Sequence, residues 1–534
     1  MGLFTFRESR STVELLHSRV ALAAWRRRIA GSSLHFVPTM GALHAGHARL
    51  IERAALSMAG SLAPRVLVSV FVNPLQFGPH EDFERYPRDL EADAALAAAA
   101  GADALFAPSV GEMVPQGAEG LTRVQPPRAL QQSLCGSSRP GHFDGVATVV
   151  CRLFALVRPD RAFFGEKDWQ QLLILRRVVA DLGLPVALRG VATVREADGL
   201  ARSSRNRYLS AEQRRGAVAL PRALQAAQAV HGRGEREAEP LLGGVRAALE
   251  RAGLCVDYVQ LVEAHTLKPL HRAQGLALLA AAVQCGPSRL IDHVFLMSRP
   301  PIVAIDGPAG AGKSTVTRAL ARQLGLVYLD TGAMYRALTW WVQRQGADPA
   351  DPAAVASWLE GIDLRLEAGP DGEQRVWVNG HEVTAAIRSL EVTVAVSAVA
   401  AHACVREALT RQQQALGLRG GLVAEGRDIG TAVFPDAECK VFLTATVAER
   451  ARRRARDLAE RGFPVPSLAE LEEQIAERDR LDSTREVAPL RQAEDASELV
   501  TDGMAIEAVI DALVALFRER VPEEAWPGLQ PESA

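Results

Sequence analysis

Two short runs in this chain carry the residue types that grip polyphosphates. In Pro38-Thr-Met-Gly-Ala-Leu-His44-Ala-Gly-His47 an apolar strand leads into a helix, so backbone N–H groups and the positive end of the helix dipole face whatever binds there. His44 and His47 fall on one face of the first turn, where ring N–H groups can donate to phosphate oxygens and to charge developing at an α-phosphorus. Taken alone, such a pair could equally be core packing or metal ligation, but ligation lacks a third Cys, His or acidic partner at a recognisable spacing. The second run, Ile302-Val-Ala-Ile-Asp306-Gly307-Pro-Ala-Gly310-Ala-Gly312-Lys313-Ser314-Thr315, is a strand, a GxxxxGK[ST] loop and a helix-forming segment. Amides of the loop around Gly307, Gly310 and Gly312 would cradle phosphates, Lys313 would reach the β- and γ-phosphates, and the Ser314 hydroxyl, followed by Thr315, would ligate Mg²⁺. Such a loop alone leaves GTPase, ATPase and small-molecule kinase open. No Asn/Thr-Lys-x-Asp guanine-reading motif accompanies it.

The elements that must position these runs read as two unrelated modules. At 534 residues the chain is too long for one ordinary core. A hydrophobic content of 48% and a charged content of 23% are those of a folded globular chain. A formal net charge of −2 supplies no global field for nucleic acid or an anionic membrane, so anion binding must be local. Of 61 basic residues only four are lysine, and two of those, Lys167 and Lys313, lie in phosphate-type motifs, where a compact ammonium suits a role a guanidinium fork does not. No signal-type or membrane-spanning apolar run is read, and six scattered cysteines suggest neither a disulfide framework nor a zinc site, which points to the cytoplasm.

Strands at Leu34–Pro38, Val66–Val72 and near Ala104–Ala107 alternate with a helix after Gly41 and an Ala-rich helix at Asp89–Ala100, which implies a parallel sheet with helices on both faces. From Leu188 to Asp292 the pattern predicts a smaller α+β subdomain. Prolines at 300 and 301 then make a short stiff joint before a fresh strand, Ile302–Ile305.

Further runs narrow the chemistry of the first module. Val68-Ser-Val-Phe-Val-Asn73-Pro-Leu-Gln76-Phe, Gly141-His-Phe-Asp-Gly-Val-Ala-Thr, Phe164-Gly165-Glu-Lys167-Asp168-Trp-Gln-Gln171 and Arg195-Glu-Ala-Asp-Gly-Leu-Ala-Arg-Ser203-Ser204-Arg205-Asn206 follow in order. With the HxGH run they resemble pantothenate synthetase across about residues 1–297. The resemblance implies attack of pantoate's carboxylate on the α-phosphorus of ATP, then displacement of AMP by β-alanine. It implies His44, His47 and Lys167 around the phosphates, and Ser203, Ser204 and Arg205 on the β- and γ-phosphates. It further implies Asp168 on the ribose, Met40 and Gly165 beside ATP, and Asn73, Gln76 and Gln171 on pantoate, where carboxamides bind without neutralising the nucleophile.

In the second module, Leu329-Asp-Thr331-Gly-Ala-Met-Tyr335-Arg336, Val423-Ala-Glu425-Gly-Arg427-Asp428-Ile-Gly and Arg478-Asp-Arg-Leu-Asp482-Ser-Thr-Arg485 follow the loop. Over about residues 301–520 they resemble bacterial cytidylate kinase, with an insert near 376–407 that helps enclose the nucleotide. This implies transfer of the γ-phosphoryl of ATP to CMP or dCMP. Arg336, Arg427, Arg478 and Arg485 would clamp the acceptor phosphate, with Thr331 also at the CMP site. Ser397, Arg406 and Asp428 would read cytosine, and Tyr335 and Asp482 would hold the sugar. The arginine-rich run 450–456 reads either as a mobile lid over ATP or as a solvated helix face paired with Glu449 and Asp457.

The expected fold class is therefore α/β: a Rossmann-like HxGH nucleotidyltransferase fold with a small α+β subdomain, followed by a P-loop nucleoside monophosphate kinase fold. The expected boundaries are 1–187 for the first domain, 188–297 for its subdomain, 298–301 for the joint, 302–520 for the kinase and 521–534 for a flexible tail. Mg²⁺ is expected with ATP and no tightly bound organic cofactor. The expected partners are ATP, pantoate, β-alanine and CMP or dCMP, without nucleic acid or membrane, in a homodimer formed through the synthetase half. The two activities are expected to be independent and separable by a cut near Pro300. The alternative is an HxGH cytidylyl- or adenylyltransferase joined to a different P-loop kinase.

Overall fold

The computed structural model describes residues 4–5, 12–58, 62–78, 83–117, 120–368, 374–460 and 462–528. They fall into two compact units, those within 1–298 together with 522–525, and those within 299–521 together with 526–528.

The first unit is built on a six-stranded parallel sheet whose spatial order is Glu14–Leu16, Ala104–Phe106, Arg65–Val70, Leu34–Thr39, Arg161–Gly165 and Ala187–Val191. Its inner strands are almost wholly apolar and buried, as a sheet covered by helices on both faces requires. One layer packs around Phe36, Leu67, Phe106, Phe154 and Phe164, the opposite one around Val37, Ile51, Val66, Val68 and Leu105. Residues 188–191 complete the last parallel strand, so the expected boundary at 187/188 cuts through an element of the first domain. Arg189 and Gly190 interrupt the apolar run there, which hid the strand from a pattern reading.

The subdomain that follows has three helices, Ala211–Ala217, Ala219–Gly232 and Ala238–Arg251, against an antiparallel sheet of Cys255–Glu263, Leu276–Cys285 and Ser288–Met297. Trp169 locks it to the site-bearing helix Trp169–Asp181: its indole N–H donates to Ala264 O at 2.6 Å and its ring meets Phe295 edge-on at 5.1 Å.

The second unit holds a five-stranded parallel sheet in the order Val327–Asp330, Leu422–Gly426, Ile302–Asp306, Cys439–Thr444 and Ser497–Val500. The strand Ile302–Asp306 is central and fully buried, and the loop after it opens the helix Lys313–Leu324 at the carboxyl edge of the sheet, where such folds bind ligands. A small antiparallel sheet of Leu364–Ala368, Gln374–Val378 and His381–Glu382 precedes the helices Leu390–Ala401 and Ala403–Gly417, so the expected insert 376–407 begins inside one of these strands and ends inside the second helix.

No single helix among the described residues is long and apolar enough to cross a membrane. One pair, Leu390–Ala401 with Ala403–Gly417, passes by length and composition together, but is bent by 95°.

The segment expected as a flexible tail behaves otherwise where it is described. Val521 is fully buried, Glu523 is buried, and Trp526 Nε1 donates to Leu324 O at 2.7 Å. The segment has few apolar side chains, and its anchors are acids, backbone amides, the Trp526 indole and the buried Val521. Residues 529–534 lie outside the described residues.

Candidate active sites

In the first unit the helix Ala45–Ala55 begins at His44, whose Nδ1 accepts from Gly46 N at 3.1 Å, while His47 Nδ1 accepts from His44 N at 3.3 Å. This reciprocal cap commits both Nδ1 atoms as acceptors, so each neutral ring carries its proton on Nε2. Burial is the chief cause that lowers His44 to about 4; for His47, lowered to about 3, burial is followed by the charges of His44 and Lys167. Both rings therefore serve as neutral donors near pH 7, within the field of Lys167. Asp93, from the helix Leu90–Ala99, secures the loop before them by accepting from Ala42 N at 3.0 Å and Leu43 N at 2.6 Å.

Asn73 caps a short helical turn, Pro74–Gln76. Its Oδ1 accepts from Leu75 N, and its Nδ2 donates to Gln76 Oε1 and to Gly145 O, both at 3.1 Å. Gln76 Nε2 in turn donates to Met40 Sδ at 2.8 Å, which joins this turn to the HxGH segment. The turn lies directly on the helix His142–Val157, because a Cβ at Gly145 would stand 2.1 Å from Leu75 O. Gly145→Ala should consequently push the turn away, lower unfolding free energy by about 1–3 kcal/mol and weaken ligase activity, as thermal denaturation and product assay would read.

A cavity of about 330 Å³ brings together Lys167, Asp168, Gln171, Ser203 and Arg205, with Arg139 and His142 on its wall. Lys167 Nζ stands 3.7 Å from the Asp168 carboxylate, on the turn after the strand that ends at Gly165. Ser203 caps the next turn through Arg205 N, and Ser204 Oγ lies 3.2 Å from the Tyr86 hydroxyl. His44, His47, Asn73 and Gln76 do not line that cavity. The Gln76 carbonyl is tied to two lining residues, accepting from His142 Nδ1 at 2.8 Å and Arg139 Nη2 at 3.2 Å.

In the second unit, Gly307 has φ +150°, and a Cβ there would stand 2.0 Å from Leu443 O, so only glycine lets the loop leave the sheet here. Gly310 and Gly312 have left-handed backbones at φ +76° and +88°. Lys313 Nζ donates to Gly307 O and Pro308 O. Ser314 Oγ donates to Glu425 Oε1 at 2.7 Å, and Thr315 follows on the exposed side of the helix. Asp306 closes the floor by accepting from Ile429 N and Gly430 N, both at 2.7 Å.

Around this loop stands an arginine cluster. Arg427 Nε pairs with Asp482 at 3.0 Å, Arg336 with Asp330 at 2.8 Å, and Arg485 lies 3.6 Å from Asp482 and 3.7 Å from Asp428. Burial first, then the charge of Arg427, lowers Arg478, and the neighbouring guanidiniums share their acids: Arg427 and Arg485 both face Asp482, and Arg406 and Arg485 both face Asp428. Such a surplus suits a phosphate. Arg406 and Asp428 form a buried ion pair, with the guanidinium 5.5 Å from the Tyr335 ring centre. Thr331 Oγ1 donates to Glu425 O, and Ser397 is half-buried on a helix that packs against the helix carrying Tyr335. In the run 450–456, Arg450 is buried against Asp479, while Arg452 and Arg453 pair with Glu449 and Arg454 with Asp457.

Family models for pantoate-beta-alanine ligase and cytidylate kinase match residues 11–295 and 303–519. The bifunctional pantoate ligase/cytidylate kinase of Prochlorococcus marinus strain MIT 9313 is 66% identical over 94% of this chain and 99% of its own. That of Parasynechococcus marenigrum strain WH8102 is 64% identical over 96% and 99%. The chain belongs to the bifunctional pantoate ligase/cytidylate kinases. A crystal structure of pantothenate synthetase from Thermus thermophilus is 50% identical over 53% of this chain and 99% of its own, with a TM-score of 0.49.

This pantoate ligase/cytidylate kinase thus carries both enzymatic activities, each ATP-using. Several of its buried polar groups escaped the sequence reading. Asp93 lies in the run Glu-Ala-Asp-Ala-Ala, where an acid in a first helical turn is favoured by the dipole anyway and gives no signal. Asp306 and Glu425 did leave one: each is an acid at or near the end of an otherwise apolar buried strand. Glu166, buried beside Lys167, is pushed up to about 7, chiefly by burial and then by the carboxylate of Glu524.

Proposed function

We propose that the ligase unit activates pantoate by adenylation within the site bounded by the two histidines and the Lys167 cavity. The observation that carries this is the paired Nε2–H tautomer of His44 and His47 within the field of Lys167. Three donors of that kind match an α-phosphorus whose oxygens gain charge as pyrophosphate departs. Ser203, Ser204 and Arg205 hold the β- and γ-phosphates, Asp168 takes the ribose hydroxyls, and Met40 and Gly165 flank the nucleotide. Gln76 and Gln171 orient pantoate. Asn73 acts mainly through Gln76, because both of its amide hydrogens and its carbonyl already have partners. β-Alanine's amine then attacks the pantoyl carbonyl and AMP leaves.

In the kinase unit Lys313 and the loop amides hold the phosphates of ATP. Arg336, Arg427, Arg478 and Arg485 hold that of CMP or dCMP, with Thr331 at the same site, and Tyr335 and Asp482 on the sugar. Asp428 accepts from the exocyclic amine of cytosine while Arg406 and Ser397 serve its O2 and N3. Ser314 and Glu425 fit a Mg²⁺ ion that accompanies ATP: the second oxygen of Glu425 is buried without a hydrogen-bond partner, and no cluster of three metal-ligating side chains exists among the described residues. The remaining ligands would be phosphate and water oxygens, and the ion would supply charge neutralisation. Asp428→Asn removes Arg406's counter-charge and turns one of the two acceptor oxygens into a donor amide, so kcat/KM for CMP should fall roughly a hundredfold and preference over UMP should shrink, in assays of ADP release with each acceptor.

The six free cysteines suit a reducing cytoplasm, and pairing through the ligase unit would give a homodimer. The test is to supply ATP with pantoate and β-alanine, or with CMP, in separate incubations. AMP with pyrophosphate in the first and ADP with CDP in the second are expected; ADP in the first would refute adenylation.

A further inference from the structure

Residues Pro522–Ala525 follow the last kinase helix in sequence yet fold as part of the ligase unit. Glu523 N and Glu524 N donate to the two carboxylate oxygens of Glu166, at 2.8 and 2.9 Å. Glu166 is only 1% exposed, and without these two donors its oxygens would be left buried and poorly satisfied. The Glu523 side chain accepts from Arg53 Nη2 at 3.0 Å and from Ala192 N at 3.2 Å. The Glu524 side chain accepts from Thr193 N at 2.9 Å and from its hydroxyl, with Arg195 3.9 Å away.

These anchor points share one place in the fold. Glu166 and Ala192 directly follow the strands Arg161–Gly165 and Ala187–Val191, at the carboxyl edge where a parallel sheet places its ligands. Glu166 also directly precedes Lys167. Arg195 donates to Gly199 O and to both oxygens of Asp292, which fixes the turn that delivers Ser203–Arg205. Arg53 is in the last turn of the helix that starts at His44.

We propose that Pro522–Ala525 is a positioning element of the ligase, which sets Lys167 through Glu166 and the Ser203–Arg205 turn through Thr193 and Arg195. The ligase site is then completed by chain encoded beyond the kinase, contrary to the expectation of two separable halves. The proposal rests on Lys167 and Ser203–Arg205 holding ATP.

The test uses the full chain carrying Glu523→Ala and Glu524→Ala together, with Lys167→Ala in parallel. A rise of roughly fivefold or more in the ligase KM for ATP is expected, with a roughly tenfold or greater fall in kcat/KM, since small displacements of binding groups are costly. CMP phosphorylation should stay within about twofold and reports the amount of folded enzyme. A merely structural role would lower kcat alone, so an unchanged KM for ATP overturns the proposal, as does equal loss of both activities. If Lys167→Ala keeps full ligase activity, the assignment of the ATP site fails and the proposal with it; if that variant is inactive and the double variant is unchanged, only the positioning role fails.

Discussion

Lys313→Ala lowers CMP phosphorylation by roughly a thousandfold or more, while pantothenate formation continues at the parent rate. The ammonium is buried and donates to Gly307 O at 2.7 Å and Pro308 O at 2.8 Å, so it sits on the loop that would wrap a polyphosphate. Phosphoryl transfer draws its acceleration from placement and charge, and Lys313 lies at the centre of both. Alanine leaves the loop carbonyls facing an uncharged gap and removes stabilisation of the transferring phosphoryl, worth several kcal/mol in a dry site. Burial, followed by the charge of Arg427, lowers Lys313 to about 7. Nucleotide phosphates would raise it again, so ATP binding above neutral pH should take up a proton, which calorimetry in buffers of different ionisation enthalpy would register. The same depression makes Lys313 unfavourable to the fold as pH falls from the ordinary lysine range toward 7, where the unfolded chain binds the proton more readily. Retention of kinase activity within tenfold, or equal loss of ligase activity, would contradict the assignment.

His47→Ala has the converse effect: pantothenate formation falls roughly 10²–10³-fold and CMP phosphorylation is unchanged. Alanine removes the Nε2–H donor and also leaves His44 N without its acceptor at the head of the helix, so the remaining histidine loses its orientation. Because burial lowers His44 to about 4 and His47 to about 3, both stay neutral across the physiological range. The ligase rate should therefore show no inflection from these two near pH 6.5, the ordinary histidine value. As pH falls below that value the unfolded chain gains protons the folded rings refuse, so stability is lost progressively toward pH 4. Initial rates between pH 5 and 8, beside a parallel denaturation series, would check both statements.

Much of this protein was legible without coordinates because its chemistry depends on short contiguous runs. A strand, a glycine loop and a helix start are neighbours in sequence, so Lys313 and Ser314 could be given expected roles from their motif, whereas His44 and His47 needed the further runs from Asn73 to Asn206 beside them. The alternation of strands and helices likewise implied a parallel sheet in the first module, since parallel strands demand a crossover helix between them, while the second module's fold followed from its P-loop run and its resemblance to cytidylate kinase. The tertiary structure alone decided what distant segments share. Gly145 as the seat of the Leu75 carbonyl, Asp93 under the HxGH loop, the Arg406–Asp428 pair and Glu523 on Glu166 join residues between 22 and 357 positions apart. Periodicity carries no record of such partners, because a buried acid or a helical glycine looks the same in sequence whether it meets a backbone amide or solvent. Their meeting is set by how sheets and helices close upon each other, which local propensity does not encode.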